Sequence, residues 1–222
     1  MHAPSTSVRV WDLPTRLFHW SIVALIGFSW WSAEVREMDW HRLSGITVLA
    51  LVVFRLLWGF IGGSTARFTQ FVRAPGRVMA YLRPGIGARR TAGHNPLGGY
   101  SVVLMLALLS IQVVTGVFAV DVDGIESGPL SFLVSFDQGR TASAVHHISF
   151  TALQIVAGIH ILAVLFYLVV KKLNLIRPMV TGSDKALESR EGALVPASPM
   201  RVVVAAAVAA AIAYAVWKGF WI

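Results

Sequence analysis

The stretch Val145-His146-His147-Ile148-Ser149-Phe150-Thr151-Ala152-Leu153-Gln154-Ile155-Val156-Ala157-Gly158-Ile159-His160, prolonged by the apolar run to Val170, decides how this chain is read. From Ala142 to Val170 it contains no Asp, Glu, Lys or Arg. As a helix, a run of that length crosses a bilayer with residues to spare. Ionisable groups inside such a helix are costly and usually functional. His146 and His160 are 14 residues apart, which at ~100° per residue returns to within ~40° of one face, ~21 Å further along the axis. His147 to His160 lands ~140° away. One face therefore carries two imidazoles, one near each side of the membrane. Neutral imidazole is a good ligand for haem iron, so the spacing predicts two stacked haems.

The composition agrees with a membrane protein. The 222 residues are 56% hydrophobic and 14% charged, with a mean hydropathy of +0.67. No cysteine is present, which excludes disulfides, Cys-ligated iron–sulfur or zinc sites and thioether-attached haem. Any haem is held non-covalently. The net charge of +8 is read as basic loops on one membrane face. No soluble nucleic-acid-binding module is visible, so nucleic acid is not an expected partner. No secretory signal is read at the N-terminus, because Asp12 and Pro14 precede the first apolar run and no small-residue cleavage site follows it.

Five apolar runs follow one another. The first covers about Pro14 to Ser32, with His19 near its start and Trp20, Trp30 and Trp31 near its ends. The second covers about Trp40 to Gly62 and holds His41 and one charge, Arg55. A long connection with six arginines (Arg67, Arg73, Arg77, Arg83, Arg89, Arg90) follows, in which Phe68 to Leu82 is expected to contain a short amphipathic surface helix. Asn95 and Pro96 read as N-cap and first turn of the third run, about Leu97 to Val120. Residues 121–141 read as an acidic loop before the fourth run. Lys171 and Lys172 end that run. A polar linker then leads to a last run, Met200 to Ile222, rich in Ala and Val.

The expected fold is all-α and integral to the membrane: a four-helix transmembrane haem-binding bundle plus a fifth C-terminal transmembrane helix. The expected division is a di-haem domain over residues 1–182, a cytoplasmic linker over 183–199 and the last helix over 200–222. Lys and Arg crowd the connections after the second and fourth runs, whereas the other two loops hold only Arg36 and Arg140. By the positive-inside rule the N-terminus is cytoplasmic and the C-terminus lies on the far side.

That topology pairs the histidines by height. His41 meets His146 near the far side, and His19 meets His160 near the cytoplasmic side. Each pair joins two helices, as bis-imidazole ligation of a haem between helices requires. The alternative for any single one is a hydrogen-bonded packing residue or a step in a proton path. His147, on another face, is read as a hydrogen-bonding neighbour, and His2 as inert. Arg55 follows His41 by 14 residues, on nearly the same face and one haem height deeper. A buried arginine needs an anion, which a haem propionate would supply; the alternative is snorkelling to the surface. Gly45, one turn after His41, would let a flat macrocycle approach, although close helix packing explains it as well. Gly116 and Gly158 carry the same two readings. His94, before the third run, is a candidate binding residue, able to donate a hydrogen bond and to exchange a proton. Its alternative role is to tie the arginine-rich connection to the helix start.

Several of these residues resemble a known family. Arg16-Leu17-Phe18-His19-Trp20, His41 with Gly45, Arg55-Leu56-Leu57-Trp58 and the His146–His160 step are similar to the bacterial cytochrome b561 family, which includes the b-type cytochrome subunits of nickel–iron hydrogenases. Val8 to Arg16, Gly93 to Pro96 and Pro178 to Gly182 resemble its small cytochrome b/b6-domain members. The resemblance covers about residues 8–182. It implies a four-helix bundle with two b haems, axial ligands at His19, His41, His146 and His160, and electron transfer between the quinone pool and a redox partner protein such as a c-type cytochrome or a hydrogenase. The protein would then be an electron-transfer subunit of a quinone-linked oxidoreductase in the bacterial inner membrane. Other classes consistent with the residues are a stand-alone quinone-linked oxidoreductase acting on a small molecule such as superoxide, a haem-free transporter, and an assembly anchor.

Overall fold

A computed structural model of the chain describes residues 7–82, 93–184, 187 and 193–219. Arg83, Arg89 and Arg90 of the basic connection, Lys185 and Arg190 of the linker, and His2 lie outside the described residues. Apart from one short ribbon, the described chain is helical. Its elements run β1 (Val8–Arg9), α1 (Leu13–Glu34), α2 (Met38–Ile61), α3 (Phe68–Phe71), α4 (Pro75–Leu82), α5 (Pro96–Phe118), α6 (Phe136–Val169), α7 (Ile176–Thr181), β2 (Ser183–Asp184) and α8 (Pro199–Trp217).

Among the described residues, four helices are by length and composition able to cross a membrane: α2, α5, α6 and α8. Helix α1 has the length, at 22 residues, but Arg16, His19, Glu34 and three tryptophans dilute its apolar character. The structure thus supports four spans where the sequence suggests five.

Two boundaries differ from the sequence reading. Helix α6 begins at Phe136, well before the uncharged run. Ser135 and Gln138 cap it reciprocally: Ser135 N–H donates to Gln138 Oε1 (2.9 Å) and Gln138 N–H donates to Ser135 Oγ (3.3 Å). That capping box satisfies two end donors and carries the helix through Asp137 and Arg140. The stretch Phe68 to Leu82, within which a short surface helix is expected, holds two helices, α3 and α4. The chain is extended at Val72, which ends α3; Ala74, the residue before a proline, is disfavoured in the helical region, and the helix restarts with Pro75 in a first helical turn.

The chain divides into two compact units. The first holds residues 1–17, 56–103 and 158–203. Its organising feature is the N-terminal lead-in. Val8 and Arg9 pair antiparallel with Asp184 and Ser183. Val10 and Trp11 then donate their N–H groups to the Gly182 carbonyl at 2.8 and 3.1 Å. Gly182 ends α7 in the left-handed region (φ 84°), and a Cβ there would meet the Trp11 carbonyl oxygen at 3.0 Å, so glycine fits on both counts. Asp12 is buried; Oδ1 accepts the Thr15 N–H (2.9 Å) to cap α1, and Oδ2 accepts Trp58 Nε1–H (3.1 Å). Thr65 Oγ1 donates to the Val10 carbonyl at 2.7 Å.

The second unit holds residues 18–55, 104–157 and 204–222. Its core joins Ile22 of α1, Val48, Leu49 and Val52 of α2, Leu109 and Val113 of α5, Leu153 of α6, Val216 of α8 and Leu130. Lipid tails are as apolar as these side chains, so close van der Waals packing, not water exclusion, holds such helices together. Helix α8 buries Ala205, Ala209 and Ala213 at a four-residue step. Small side chains in that register let its backbone come close to its neighbours.

Candidate haem-binding site

In the second unit, His41 opens α2 and His146 stands a third of the way along α6. Their ring centroids are 6.1 Å apart and the rings are nearly perpendicular, at 82°. Both rings are held the same way. His41 Nδ1 lies 2.8 Å from the Ser29 carbonyl oxygen, and His146 Nδ1 lies 2.9 Å from the Gln112 carbonyl oxygen. A carbonyl only accepts, so each Nδ1 carries the proton and each neutral ring keeps its lone pair on Nε2. Consistent with this, the Gln112 side-chain amide donates to His146 Nε2 at 2.9 Å. Gln112 Oε1 in turn accepts from the Ser149 hydroxyl, and Ser149 is buried. Gly116 makes room for the arrangement: a Cβ there would stand 2.9 Å from His146 Cε1.

The remaining candidates fall as follows. His147 is exposed, its ring 6.4 Å from that of His146. His19, in the second unit, sets its ring edge-on to Trp20 at 5.0 Å. His160 lies in the first unit, so the structure gathers His41 and His146 within one unit while His19 and His160 belong to different ones. Arg55 is 3% exposed, which removes the snorkelling alternative. A Cβ built at Gly45 or at Gly158 meets nothing within 4 Å, so close helix packing explains neither glycine.

In the first unit, His94 is wedged among aromatic rings, 4.6 Å from Trp11 and 4.6 Å from Phe71. Beside it, Asn95 Oδ1 accepts the Gly98 N–H at 2.6 Å, the cap expected for α5. The Asn95 amide also donates to the Tyr167 hydroxyl at 3.3 Å, which is hydrogen-bonded to the Tyr81 hydroxyl at 3.1 Å.

The sequence model of the prokaryotic cytochrome b561 family matches residues 10–182. The chain belongs to this family. No curated protein and no solved structure gives a match. Membership in the cytochrome b561 family means a membrane b-type cytochrome that works in electron transfer and carries haem b.

The residues of the second unit fit that group. Metal–imidazole bonds are about 2 Å long; with the reach from each nitrogen to its ring centre, two of them separate the ring centroids by about 6 Å, as observed. Imidazoles that donate Nδ1–H to a carbonyl have their tautomer and orientation set for metal ligation through Nε2. The open space at Gly45 lies one turn from His41, where a planar ligand would pass.

The sequence reading missed Ser29, Gln112 and Ser149, which hold the rings. One signal was present. Gln112 is the only amide side chain in the apolar run from Leu97 to Val120, and a lone amide in such a run needs a partner inside the protein.

Proposed function

We propose that this cytochrome b561 protein carries two b haems and moves electrons across the membrane between the quinone pool and a redox partner protein, a c-type cytochrome or a hydrogenase. The observation that carries the reading is the His41–His146 pair, 6.1 Å between ring centroids with each Nδ1–H on a main-chain carbonyl. By the same logic of height, His19 and His160 hold the second haem. When bound, haem b supplies the one-electron carrier. The chain's own residues fix its position. His41 presents an Nε2 lone pair, His146 would do so once the Gln112 amide that donates to its Nε2 gives way, Gly45 leaves the approach open, and buried Arg55 would provide the cation for a propionate of the second haem. The apolar helices keep water away.

In this reading α1 is a fifth crossing, the N-terminus and both basic connections are cytoplasmic, and the C-terminus is external. Residues 1–182 form the di-haem domain, 183–199 the linker and 200–222 the last helix. A quinone exchanges electrons and protons at the cytoplasmic end, near His94.

The test is haem stoichiometry on the purified full chain. A pyridine haemochrome assay should return two haems per chain, with low-spin, reducible bands. One haem, or none, overturns the paired arrangement.

A further inference from the structure

Helices α5 and α6 each carry one amide side chain within their uncharged runs, Gln112 and Gln154. Both residues belong to the second unit. Gln112 is answered inside the protein by His146 and Ser149. Gln154 is exposed, and among the described residues its side chain makes no hydrogen bond. It lies 12 residues beyond Ala142, where the uncharged run opens. That is ~18 Å along the axis, well inside a hydrocarbon core ~30 Å thick. An amide in hydrocarbon without a partner is costly. Three more exposed residues share its side of α6: Ala144, His147 and Thr151. Steps of three, four and three residues keep the four within an arc of ~80°, centred ~120° round the helix from His146. The Thr151 hydroxyl turns back to the His147 carbonyl at 3.2 Å, so it stays close against its own helix. Small or compact side chains on such a face let a second backbone approach, and the three-four spacing is that of left-handed helix pairs.

We propose that Ala144, His147, Thr151 and Gln154 form the face through which a second copy of this chain pairs in the membrane, α6 against α6. Two copies inserted in one bilayer share one orientation. A two-fold axis along the membrane normal therefore sets each residue of the face opposite itself at the same depth. An amide is both donor and acceptor. Each Gln154 donates an N–H to the other's Oε1, and the pair satisfies itself with no further group. A neutral imidazole has the same two-way character, and His147 meets its counterpart ~10 Å nearer the start of the helix. A helix of another protein would need its own donor and acceptor at this one depth, whereas a second copy brings both by symmetry. The His146 side of α6 stays turned to Gln112, so pairing leaves the haem-binding residues in place.

The experiment counts subunits by single-molecule photobleaching in the full-length holoprotein, labelled once per chain and reconstituted in liposomes over a range of protein-to-lipid ratios. Gln154→Leu should raise the dimer dissociation constant roughly tenfold, as the loss of the reciprocal amide bonds predicts. Its haem content and spectrum should match wild type. Gln154→Asn, which keeps an amide, should fall between the two. The chain has no cysteine, so one introduced thiol reports one position. Under mild oxidation Ala144→Cys should yield disulfide-linked dimers. Val145→Cys, at nearly the same depth but ~100° round the helix, should not. A wild-type monomer at every ratio overturns the proposal and leaves the face to lipid or to a helix of another protein. A dimer as stable in Gln154→Leu as in wild type overturns it too, as does one that crosslinks through Val145→Cys as readily as through Ala144→Cys, since the contact then lies elsewhere. If Gln154→Leu fails to accumulate, the two cysteine variants, which leave Gln154 in place, still decide.

Discussion

Gly116→Ala tests how tightly the fold holds His146. The added methyl carbon would stand 2.9 Å from Cε1 and 3.1 Å from Nδ1 of the ring. Carbon contacts settle at about 3.5–4.0 Å, so the ring must retreat by roughly 0.6–1 Å. The Nδ1–H···O bond to the Gln112 carbonyl now measures 2.9 Å. A retreat of that size carries it past about 3.2 Å, the edge of good geometry. Overpacking of this kind costs about 1–3 kcal/mol, and the weakened hydrogen bond accounts for about 0.5–1.5 kcal/mol within it. If the cost falls on the ligating conformation, the haem proposed at His146 is retained roughly 10- to 100-fold less tightly. The assay is haem transfer to excess apomyoglobin from the purified full chain, followed by pyridine haemochrome counting. One haem per chain should leave early and the other stay. Retention indistinguishable from wild type would refute the claim that the ring position is set by this glycine.

The other predictions concern the same helices. His146→Ala should lose one haem while His147→Ala keeps both; the opposite pattern would show that the wrong face of α6 was assigned. Gly45→Leu meets no neighbour at its first side-chain atom and improves helix propensity by about 1 kcal/mol, so the protein should accumulate with normal helicity by circular dichroism yet lose haem; full haem content would remove Gly45 from the site. Arg55→Leu should lower the potential of the haem proposed at His19 and His160, because a nearby cation favours the ferrous state. A coupling of about 1.4 kcal/mol reads as about 59 mV in a one-electron redox titration, and unchanged potentials would sink the propionate pairing.

Much of this fold was legible because apolar runs and their caps are local signals. Asn95-Pro96 announced the start of α5, and the cap is present. The start of α6 was legible too, through Ser135 and Gln138, but hydropathy hides a helix that outruns its uncharged segment. The clasp of the lead-in was beyond reach. Asp12 and Trp58 are 46 residues apart in sequence, and nothing in either neighbourhood says that one accepts from the other. The break between α3 and α4 was readable at Ala74-Pro75, where amphipathic periodicity ran on through a residue that interrupts it.

For the site, the difference between what could and could not be read is chemical. Histidines at a regular step in an uncharged helix stand out, because a titratable ring in hydrocarbon needs a reason. Ser29 and Ser149 do not stand out, since a hydroxyl in a helix often bonds its own preceding turn. Several here do so: Ser110 bonds Leu106 and Thr115 bonds Ile111. Gln112 is different, because its amide is too long and too polar to be answered by its own turn. It is answered on a neighbouring helix, by His146 and Ser149. The same reasoning applies to Tyr167, whose hydroxyl is met by Tyr81 and Asn95 from two other elements. Inside apolar helices, then, the polar side chains that reach across to another element are the ones to weigh for function, and a bond to their own turn, which Ser149 and Thr115 also make, does not exclude them. Along the uncharged part of α6 the ones that reach across include His146, Ser149 and Tyr167, and His160 stands between them on the face it shares with His146 and Tyr167.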